Sequence, residues 1–273
     1  PETIDYTTNI SESPLAQVHL VLRMPRGEDL PKVDVAALQN DLNLAVRTWD
    51  DQLVHLLREA HGETVASEIL ADYAGAFSAA YQDTISPAAA VEDLDLLRSL
   101  TGPQDVRVRV DHNGTWRFRV ASYVEFPLTQ VMPILTAFGV KVVDERPFPV
   151  TLTGERSRHI SDFGLELGDG EHAVKFEEGF RAVWLGKTES DHLNSLIVHA
   201  GLPWQRVLIL RALGRYAHQV SPSNAFSYTE TALVQNPIMA AGIAELFDIR
   251  FNPERAVDLA ARREEAREEA APL

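Results

Sequence analysis

A glycine-rich stretch has the spacing of a nucleotide-binding motif. Residues 168–173 fit G-x-G-x-x-A between a predicted strand and a predicted helix, and Glu189 lies near the distance of the acidic residue in a dinucleotide fingerprint. However, Asp169 and Glu171 would bring carboxylates against a pyrophosphate, and the preceding strand alternates where a buried parallel strand would be continuously apolar. We therefore interpret the stretch as a β-to-α turn that only resembles the fingerprint.

Histidines raise the question of metal binding. His192 and His199 are seven residues apart in a predicted helical region, and Glu189 and Asp191 lie close in sequence. Two histidines separated by two helical turns are too distant to share one ion unless another element adds a ligand. The chain contains no His-Glu-x-x-His motif, so we favour histidines on half-buried helices over a metal centre.

Arginines raise the question of anion binding. A predicted hairpin carries four of them on one face, at Arg107, Arg109, Arg117 and Arg119. The alternative is that these side chains are solvated or contact acidic helices, and the acidic composition favours that alternative. A later predicted helix carries Arg211, Arg215 and His218 on one face, where we expect a buried network of ion pairs with aspartate or glutamate.

The amino-acid composition limits the classes of molecule that the protein could bind. Acidic residues outnumber basic ones by 40 to 25, which gives a formal net charge of −15. Binding to nucleic acid or to anionic lipid depends on a basic surface, so the sequence argues against both. The chain has no cysteine, which excludes disulfides and thiolate catalysis. No apolar run is long enough to span a bilayer, and the first residues do not resemble a signal peptide. We therefore expect a cytoplasmic protein.

The elements that would position these residues change type along the chain. Residues 1–14 are polar and predict no regular structure, whereas the alternation over residues 16–24 predicts a strand. Helical periodicity follows over residues 33–60 and 63–80, interrupted by Gly62. A third helix is predicted to begin with Ser86 as its cap and Pro87 at its first position.

After residues 101–103, Thr-Gly-Pro, apolar residues recur at every second position, which is the spacing of a strand. A hairpin over 106–120 turns at residues 112–115, a helix over 127–138 ends at Gly139, a strand from Val140 weakens at Pro147, and a further strand covers 157–167. From Trp116 the order is strand, helix, strand, strand, helix, which is most of a ferredoxin-like unit. The predicted fold class is α+β, with an antiparallel ferredoxin-like, ACT-like sheet and a packed helix, flanked on both sides by helical layers.

Four regions follow from this order. They are an N-terminal strand segment over 1–30, whose strand is a candidate edge of the sheet, a helical region over 31–102, the α+β domain over 103–170 and a helical region over 171–273. Breaks within the last region are expected at residue 186, at 201–203 and at 221–223.

A series of motifs resembles the very large bacterial NAD-specific glutamate dehydrogenases. Residues 139–148, Gly-Val-Lys-Val-Val-Asp-Glu-Arg-Pro-Phe, resemble the segment G-x-x-V-x-D-E-R-P-(Y/F) of that family. The spacings F-x-x-x-Y, A-x-x-D and I-x-D-F of the family are similar to those of Phe77 and Tyr81, Ala90 and Asp93, and residues 160–163. Further similar motifs lie in order over 126–135, 176–184, 189–196, 200–207, 210–216 and 237–253. Pro127 departs from the family, which often has serine there.

The resemblance implies a role within a larger enzyme. Members of this family oxidatively deaminate L-glutamate to 2-oxoglutarate and ammonia with NAD, and this segment precedes their catalytic domain. It therefore implies no catalytic residue, no metal and no cofactor of this segment's own, with NAD bound elsewhere in the parent enzyme. The implied partners are the rest of the parent chain and further copies of it in a homo-oligomer. The implied function is a non-catalytic regulatory or assembly segment, and the alternative is an independent amino-acid-binding ACT-like sensor module.

The resemblance also suggests where an amino-acid effector would bind. ACT-like modules hold ligands beside the turn from the first strand to the first helix, which here is the loop over residues 122–126. The start of the helix would meet the α-carboxylate, Glu125 would pair with the α-ammonium, and Tyr123 or Phe126 would line the side chain. The alternative is that Glu125 only caps the helix.

Overall fold

The computed structural model describes residues 3–9, 17–23, 34–39, 47–112, 114–154, 156–168, 171–220, 225–253 and 259–271. The chain divides into two compact units, Pro1–Thr48 and Trp49–Leu273. In the first unit, strands β1 (Thr3–Asn9) and β2 (Gln17–Arg23) pair antiparallel in a two-stranded sheet, and residues 35–39 are helical.

Strand β1 corrects the expectation of an irregular N-terminus. Its sequence, Thr-Ile-Asp-Tyr-Thr-Thr-Asn, is rich in β-branched and aromatic residues, which favour extended backbone even where the polarity is high. It supplies the partner of β2, so the strand predicted over residues 16–24 pairs with β1. Among the described residues, the larger sheet contains only strands of the second unit, and both of its edges are formed by them.

The second unit begins with three helices, α1 (Trp49–Tyr73), α2 (Ala79–Thr84) and α3 (Pro87–Arg98). Gly62 interrupts α1 with a φ of 78°, as its position in the sequence predicts. The Ser86 hydroxyl accepts a hydrogen bond from the backbone N–H of Ala89, and Pro87 opens the helix, which confirms the predicted start of α3. Of the helix predicted over residues 33–60, residues 35–39 are helical, residues 40–46 lie outside the described residues, residues 47–48 are not helical, and α1 begins at Trp49.

A four-stranded antiparallel sheet follows. Its elements are β3 (Val106–His112), β4 (Trp116–Ser122), α4 (Leu128–Ala137), β5 (Lys141–Thr151), β6 (Ser157–Glu166) and α5 (Ala173–Trp184). The strand order is β3-β4-β6-β5, which confirms the predicted fold class. The elements β4 to α5 are the first five of a ferredoxin-like unit, and the edge that its last strand would occupy is taken by β3, which precedes them.

The two faces of this sheet contribute to two hydrophobic cores. On one face, Phe118, Val120 and Phe163 pack against α4, α5 and the helices that follow them. On the opposite face, Ala121, Ile160 and the end of β5 pack against α1, α2 and α3. The sheet is therefore the wall that both helical layers share.

Side chains of α5 bind the outer edge of β3. The backbone N–H of Val110 donates to Glu177 Oε1 at 2.6 Å, and Arg181 Nε donates to the carbonyl oxygen of Val106 at 2.9 Å. Residues two apart in a strand direct their backbone groups to the same side, so both bonds lie on the edge of β3 that faces away from β4.

Strand β5 continues through both of its prolines and corrects the expectation that it weakens at Pro147. The strand runs to Thr151 because it forms the other edge of the sheet, where a residue with no N–H to donate is tolerated. Pro147 and Pro149 are two residues apart, so both direct the missing donor outward. Farther along the same edge, the Thr151 N–H donates to the carbonyl oxygen of Ala76.

The remaining helices follow α5, and those from the 3₁₀ helix to α9 contribute residues to the first core. They are a 3₁₀ helix (His192–Asn194), α6 (Ser195–His199), α7 (Trp204–Val220), α8 (Phe226–Gln235), α9 (Pro237–Phe251) and α10 (Leu259–Ala270). The predicted breaks at Gly186 and at 201–203 are present. The break predicted at 221–223 lies outside the described residues.

Gly139 forms the junction between α4 and β5. Its φ is 72°, a left-handed conformation that side chains with a Cβ adopt at a cost. A Cβ at this position would also lie 2.9 Å from His199 Cε1 and 3.3 Å from Ser195 Cβ, both on α6. The residue therefore satisfies two constraints, one of backbone conformation and one of packing.

We expect the substitution Gly139→Ala to destabilise the second unit more than the matched substitution Gly186→Ala. Both glycines follow a helix C-cap with positive φ, so each alanine costs about 1–2 kcal/mol. Only the alanine at 139 meets α6, which adds about 1 kcal/mol or more of overpacking, since no atom lies within 4 Å of a Cβ at 186. Urea denaturation measures the difference, and equal midpoints for the two variants would contradict the packing constraint.

Candidate functional site

The loop between β4 and α4 sends its two aromatic rings into different cores. Phe126 is 4% exposed and stacks on Trp184, with ring centroids 4.2 Å apart, inside the core beneath α4 and α5. The Tyr123 ring lies under the Arg158 guanidinium, whose central carbon is 3.6 Å from the ring centroid, on the side of α1 and α3. The two rings therefore do not line one pocket, and Phe126 is occupied by packing.

Glu125, the third residue suggested for an effector, is exposed. Burial raises the pKa of the Glu145 carboxyl, and the Glu125 carboxylate raises it further. Burial lowers the pKa of His159, which the same carboxylate opposes. Among the described residues, Glu125 makes no hydrogen bond to the first turn of α4, whose cap residue Pro127 offers no side-chain acceptor. The loop thus presents an acidic pair beside an uncapped helix start.

The four arginines of the hairpin form a layer of ion pairs between the sheet and α3. At its centre, Arg119 Nη1 lies 2.5 Å from Asp93 Oδ2, and the Tyr81 hydroxyl donates to the same oxygen at 2.6 Å. Arg109 contacts Asp93 and also Glu92, which is the preceding residue on the helix. The interpretation that these arginines contact acidic helices is confirmed for both.

The other two arginines are paired within or beside the sheet. Arg117 binds Asp162 Oδ1 through Nε at 2.9 Å and Asp144 Oδ1 through Nη1 at 2.6 Å. Arg107 binds Asp105 Oδ2 at 2.9 Å. Each guanidinium of the hairpin is therefore neutralised by protein carboxylates, and none of the four is left to bind an external anion.

Asp93 is the most deeply buried charge of this layer, with no exposed surface. Burial raises the pKa of its carboxyl, while Arg119 and Tyr81 oppose that shift. Burial and the adjacent Asp93 raise the pKa of the Tyr81 hydroxyl, which therefore stays protonated and donates its hydrogen bond. A buried carboxylate of this kind is tolerated because every neighbour supplies a compensating charge or donor.

The sequence contained a signal for this layer. Tyr81, Asp93, Asp144 and Asp162 are all residues of the quoted motifs, although spacing alone could not show that they share partners. In the structure they converge on Arg117 and Arg119 from α2, α3, β5 and β6. These motif residues therefore belong to one cluster of interacting side chains.

The remaining candidates from the sequence are the glycine-rich stretch and the possible metal ligands. β6, which precedes the glycine-rich stretch, pairs antiparallel on both sides, unlike the parallel strand of a dinucleotide-binding unit. Residues 169–170 of that stretch lie outside the described residues. Over the part of the chain that the structure describes, no group of three or more potential ligands is arranged to hold a metal ion.

Arg211 confirms the expected ion pairing on α7. Its guanidinium is almost fully buried and binds both carboxylate oxygens of Asp191, at 2.5 and 2.7 Å, and the side-chain oxygen of Asn194 at 2.9 Å. Arg215 pairs with Glu189 one turn farther along. These residues anchor α7 to the 3₁₀ helix and leave Glu189 committed to a protein partner.

Comparisons with known proteins agree on one family. Consecutive parts of the chain match family models described as glutamate dehydrogenase ACT2 domain (residues 1–50), helical motif 2 (56–100), ACT3 domain (104–178) and helical motif 3 (188–253). The chain belongs to the NAD-specific glutamate dehydrogenase family. Region by region, these matches cover the first unit, the helices α1 to α3, the four-stranded sheet, and the helices up to α9.

Similar proteins of this family occur in several bacteria. The chain is 32% identical to the NAD-specific glutamate dehydrogenase of Mycobacterium tuberculosis over 283 residues that cover 92% of the chain. It is 30% identical to the enzyme of that name from Halomonas elongata and 29% identical to that from Pseudomonas aeruginosa, over 91% and 90% of the chain. The chain spans only 16–17% of the length of these relatives. Within the described residues, no helix has both the length and the apolar character needed to cross a membrane.

We expect the substitution Asp93→Asn to lower the free energy of unfolding of the second unit much more than a matched surface substitution does. Removing this charge leaves the buried Arg119 with only the longer contacts of 3.9 Å to Asp111 and Asp162, and breaking a buried pair costs about 3–5 kcal/mol. The control is Glu166→Gln, which breaks the exposed Lys141–Glu166 pair at a cost of about 0–1 kcal/mol. Urea denaturation followed by circular dichroism measures both, and similar midpoints for the two variants would show that the buried layer does not secure the junction.

Proposed function

We propose that this chain is a non-catalytic regulatory and assembly segment of a large NAD-dependent glutamate dehydrogenase. The observation that carries the proposal is the alternation of ACT and helical-motif matches along the chain, combined with a sheet whose two faces both pack on helices. A sheet covered in this way can hold two helical layers at a fixed separation. The parent reaction is the oxidative deamination of L-glutamate to 2-oxoglutarate and ammonia, with NAD bound outside this segment.

Exposed apolar residues on the last helices support a role in assembly. Ile238 is 85% exposed at the start of α9, and Met239, Tyr228 and Phe251 are also exposed. Helix α9 is apolar around most of its circumference, which is typical of a helix covered on more than one side. Because the relatives are about six times as long as this chain, their remaining regions are the natural partner for this surface. The proposal includes a cytoplasmic homo-oligomer.

The proposal also retains the four regions derived from the sequence. These are the segments 1–30, 31–102, 103–170 and 171–273, with the α+β domain as the central module. The ion-pair layer supports treating the helices before the sheet as a partner of that module, since Asp93 and Arg119 come from the two sides of the boundary. The regulatory signal would pass from the sheet to these helices through charges that move together.

We expect the purified chain to show no glutamate-dependent reduction of NAD. The reason is that the proposal places the nucleotide site and the substrate site in other parts of the parent enzyme. The measurement is NADH absorbance with L-glutamate and NAD, compared with a boiled sample. Full-length enzyme from Pseudomonas aeruginosa, added at known amounts, establishes the detection limit. Turnover by the chain above the boiled control would refute a non-catalytic role.

A second candidate function is an independent amino-acid-binding ACT-like sensor. The observation that favours it is the acidic pair Glu125 and Glu145 beside the start of α4. An α-ammonium group between the two carboxylates would relieve their repulsion, and the first backbone N–H groups of α4 would meet the α-carboxylate. Tyr123 borders the same loop, whereas Phe126 would act only from within the core.

If an amino acid binds at this loop, backbone amide signals of residues 122–130 will shift during titration with common amino acids. The substitution Glu125→Gln should weaken binding about tenfold, because it removes one of the two charges that attract the ammonium group. The substitution Glu166→Gln, an exposed carboxylate elsewhere in the domain, should leave binding unchanged. Amide shifts that cluster elsewhere and avoid residues 122–130 would eliminate this loop as the effector site.

A further inference from the structure

A cleft of about 320 Å³ lies where α1, α3 and the sheet meet. Its lining includes Arg98, Arg156 and Arg158, together with Asp72, Tyr73 and Tyr123. Three guanidinium groups therefore converge here from α3, from the turn between β5 and β6, and from β6. All three lower the pKa of the Tyr73 hydroxyl, against a larger opposing effect of burial, so they act on a common point.

The three arginines differ in how they are paired. Arg156 Nη2 lies 2.5 Å from Asp72 Oδ1 at the rim of the cleft. The Arg158 guanidinium stacks on the Tyr123 ring, and its Nη1 donates a hydrogen bond to the carbonyl oxygen of Ser157. The Nε of Arg158 is buried and has no hydrogen-bond partner. Over the described residues, no carboxylate forms an ion pair with Arg158 or Arg98. Two positive charges are thus left at the cleft.

These two charges are unusual for this surface. Arg158 belongs to the face of the sheet that also carries Arg107, Arg109, Arg117 and Arg119, and each of those four has a carboxylate within 3 Å. The whole chain has 15 more acidic than basic side chains, so carboxylates are plentiful. Even so, the cleft contributes only Glu68 and Asp72 against three arginines, a local excess of one positive charge.

We propose that this cleft binds a small molecule carrying an oxyanion group, a phosphate or a carboxylate. Arg98 and Arg158 would bind the oxyanion, since guanidinium donors match the paired oxygens of both groups. Arg156 would share its free donors while it remains paired with Asp72. The aromatic rings of Tyr73 and Tyr123 and the side chains of Ile69 and Leu97 would contact the rest of the ligand.

The position of the cleft gives such a ligand influence on the junction. Its walls come from both sides of the boundary between the helices and the sheet, so an anion held there would join α1 and α3 to β6. The cleft volume suits a molecule of the size of a phosphate ester or a short dicarboxylate. The cleft shares Tyr123 with the loop over residues 122–126, but Glu125 is not among its lining residues, and the proposal does not depend on the catalytic role of the chain.

The test is calorimetric titration of the whole chain with inorganic phosphate and, separately, with succinate, a dicarboxylate that has no amine to engage Glu125. At least one of the two should bind with one-to-one stoichiometry, and affinity should fall as salt concentration rises. The substitutions Arg98→Gln and Arg158→Gln should each weaken binding about tenfold or more, which corresponds to the loss of a charge-assisted contact.

The matched control is Arg146→Gln. Arg146 lies on the same face of the sheet and loses the same charge, but its guanidinium is outside the cleft and only 3.7 Å from Asp144. This variant should bind the anion like the parent. Arg98 is exposed and packs little, so its variant also reports on binding if Arg158→Gln fails to fold. Absence of binding by both anions, or equal weakening by Arg146→Gln, would overturn the proposal.

Discussion

The contact between Arg119 on β4 and Asp93 on α3 is the interaction on which the second unit depends. Both side chains are buried between the sheet and the helices, and the Tyr81 hydroxyl completes the hydrogen bonding of the carboxylate. Such a pair contributes little net free energy compared with apolar side chains of the same size, but either partner alone would be strongly destabilising. It therefore specifies one relative position of helix and sheet more than it adds stability. The contacts of Arg109 with Glu92 and Asp93 extend the same constraint along the hairpin.

This constraint explains how one thin sheet can separate two cores. The face towards α4 and α5 is closed by aromatic packing around Phe118, Phe176 and Phe180, which tolerates small shifts of the rings. The face towards α3 mixes apolar residues with paired charges, which tolerate few arrangements because each charge needs its own partner. A displacement of α3 would therefore be opposed more by electrostatics than by packing. The loop after β4 reflects the same division, since Tyr123 and Phe126 enter opposite sides.

Much of this architecture could be predicted from the sequence, because periodicity, Gly139 and the Ser86–Pro87 start are local signals. The extension of β5 through Pro147 could not, since it depends on the strand being at an edge, which is a property of the whole sheet. An irregular N-terminus was expected because the first residues are polar. Instead, β1 is a strand, because its β-branched residues favour extended backbone and β2 provides a pairing partner. Among the site residues, the arginine face was predictable but its partners were not. Arg98, Arg156 and Arg158 come from separate elements, and only the fold brings them to one cleft.

The treatment of the two sheet edges has a consequence for a protein built from repeated modules. A free strand edge can recruit a strand from a neighbour, and similar modules within one long chain are at high effective concentration. Here Glu177 and Arg181 occupy backbone groups of β3 that an incoming strand would need, and Pro147 and Pro149 remove two donors from the edge of β5. Neighbouring modules are thus discouraged from exchanging strands or merging into one continuous sheet.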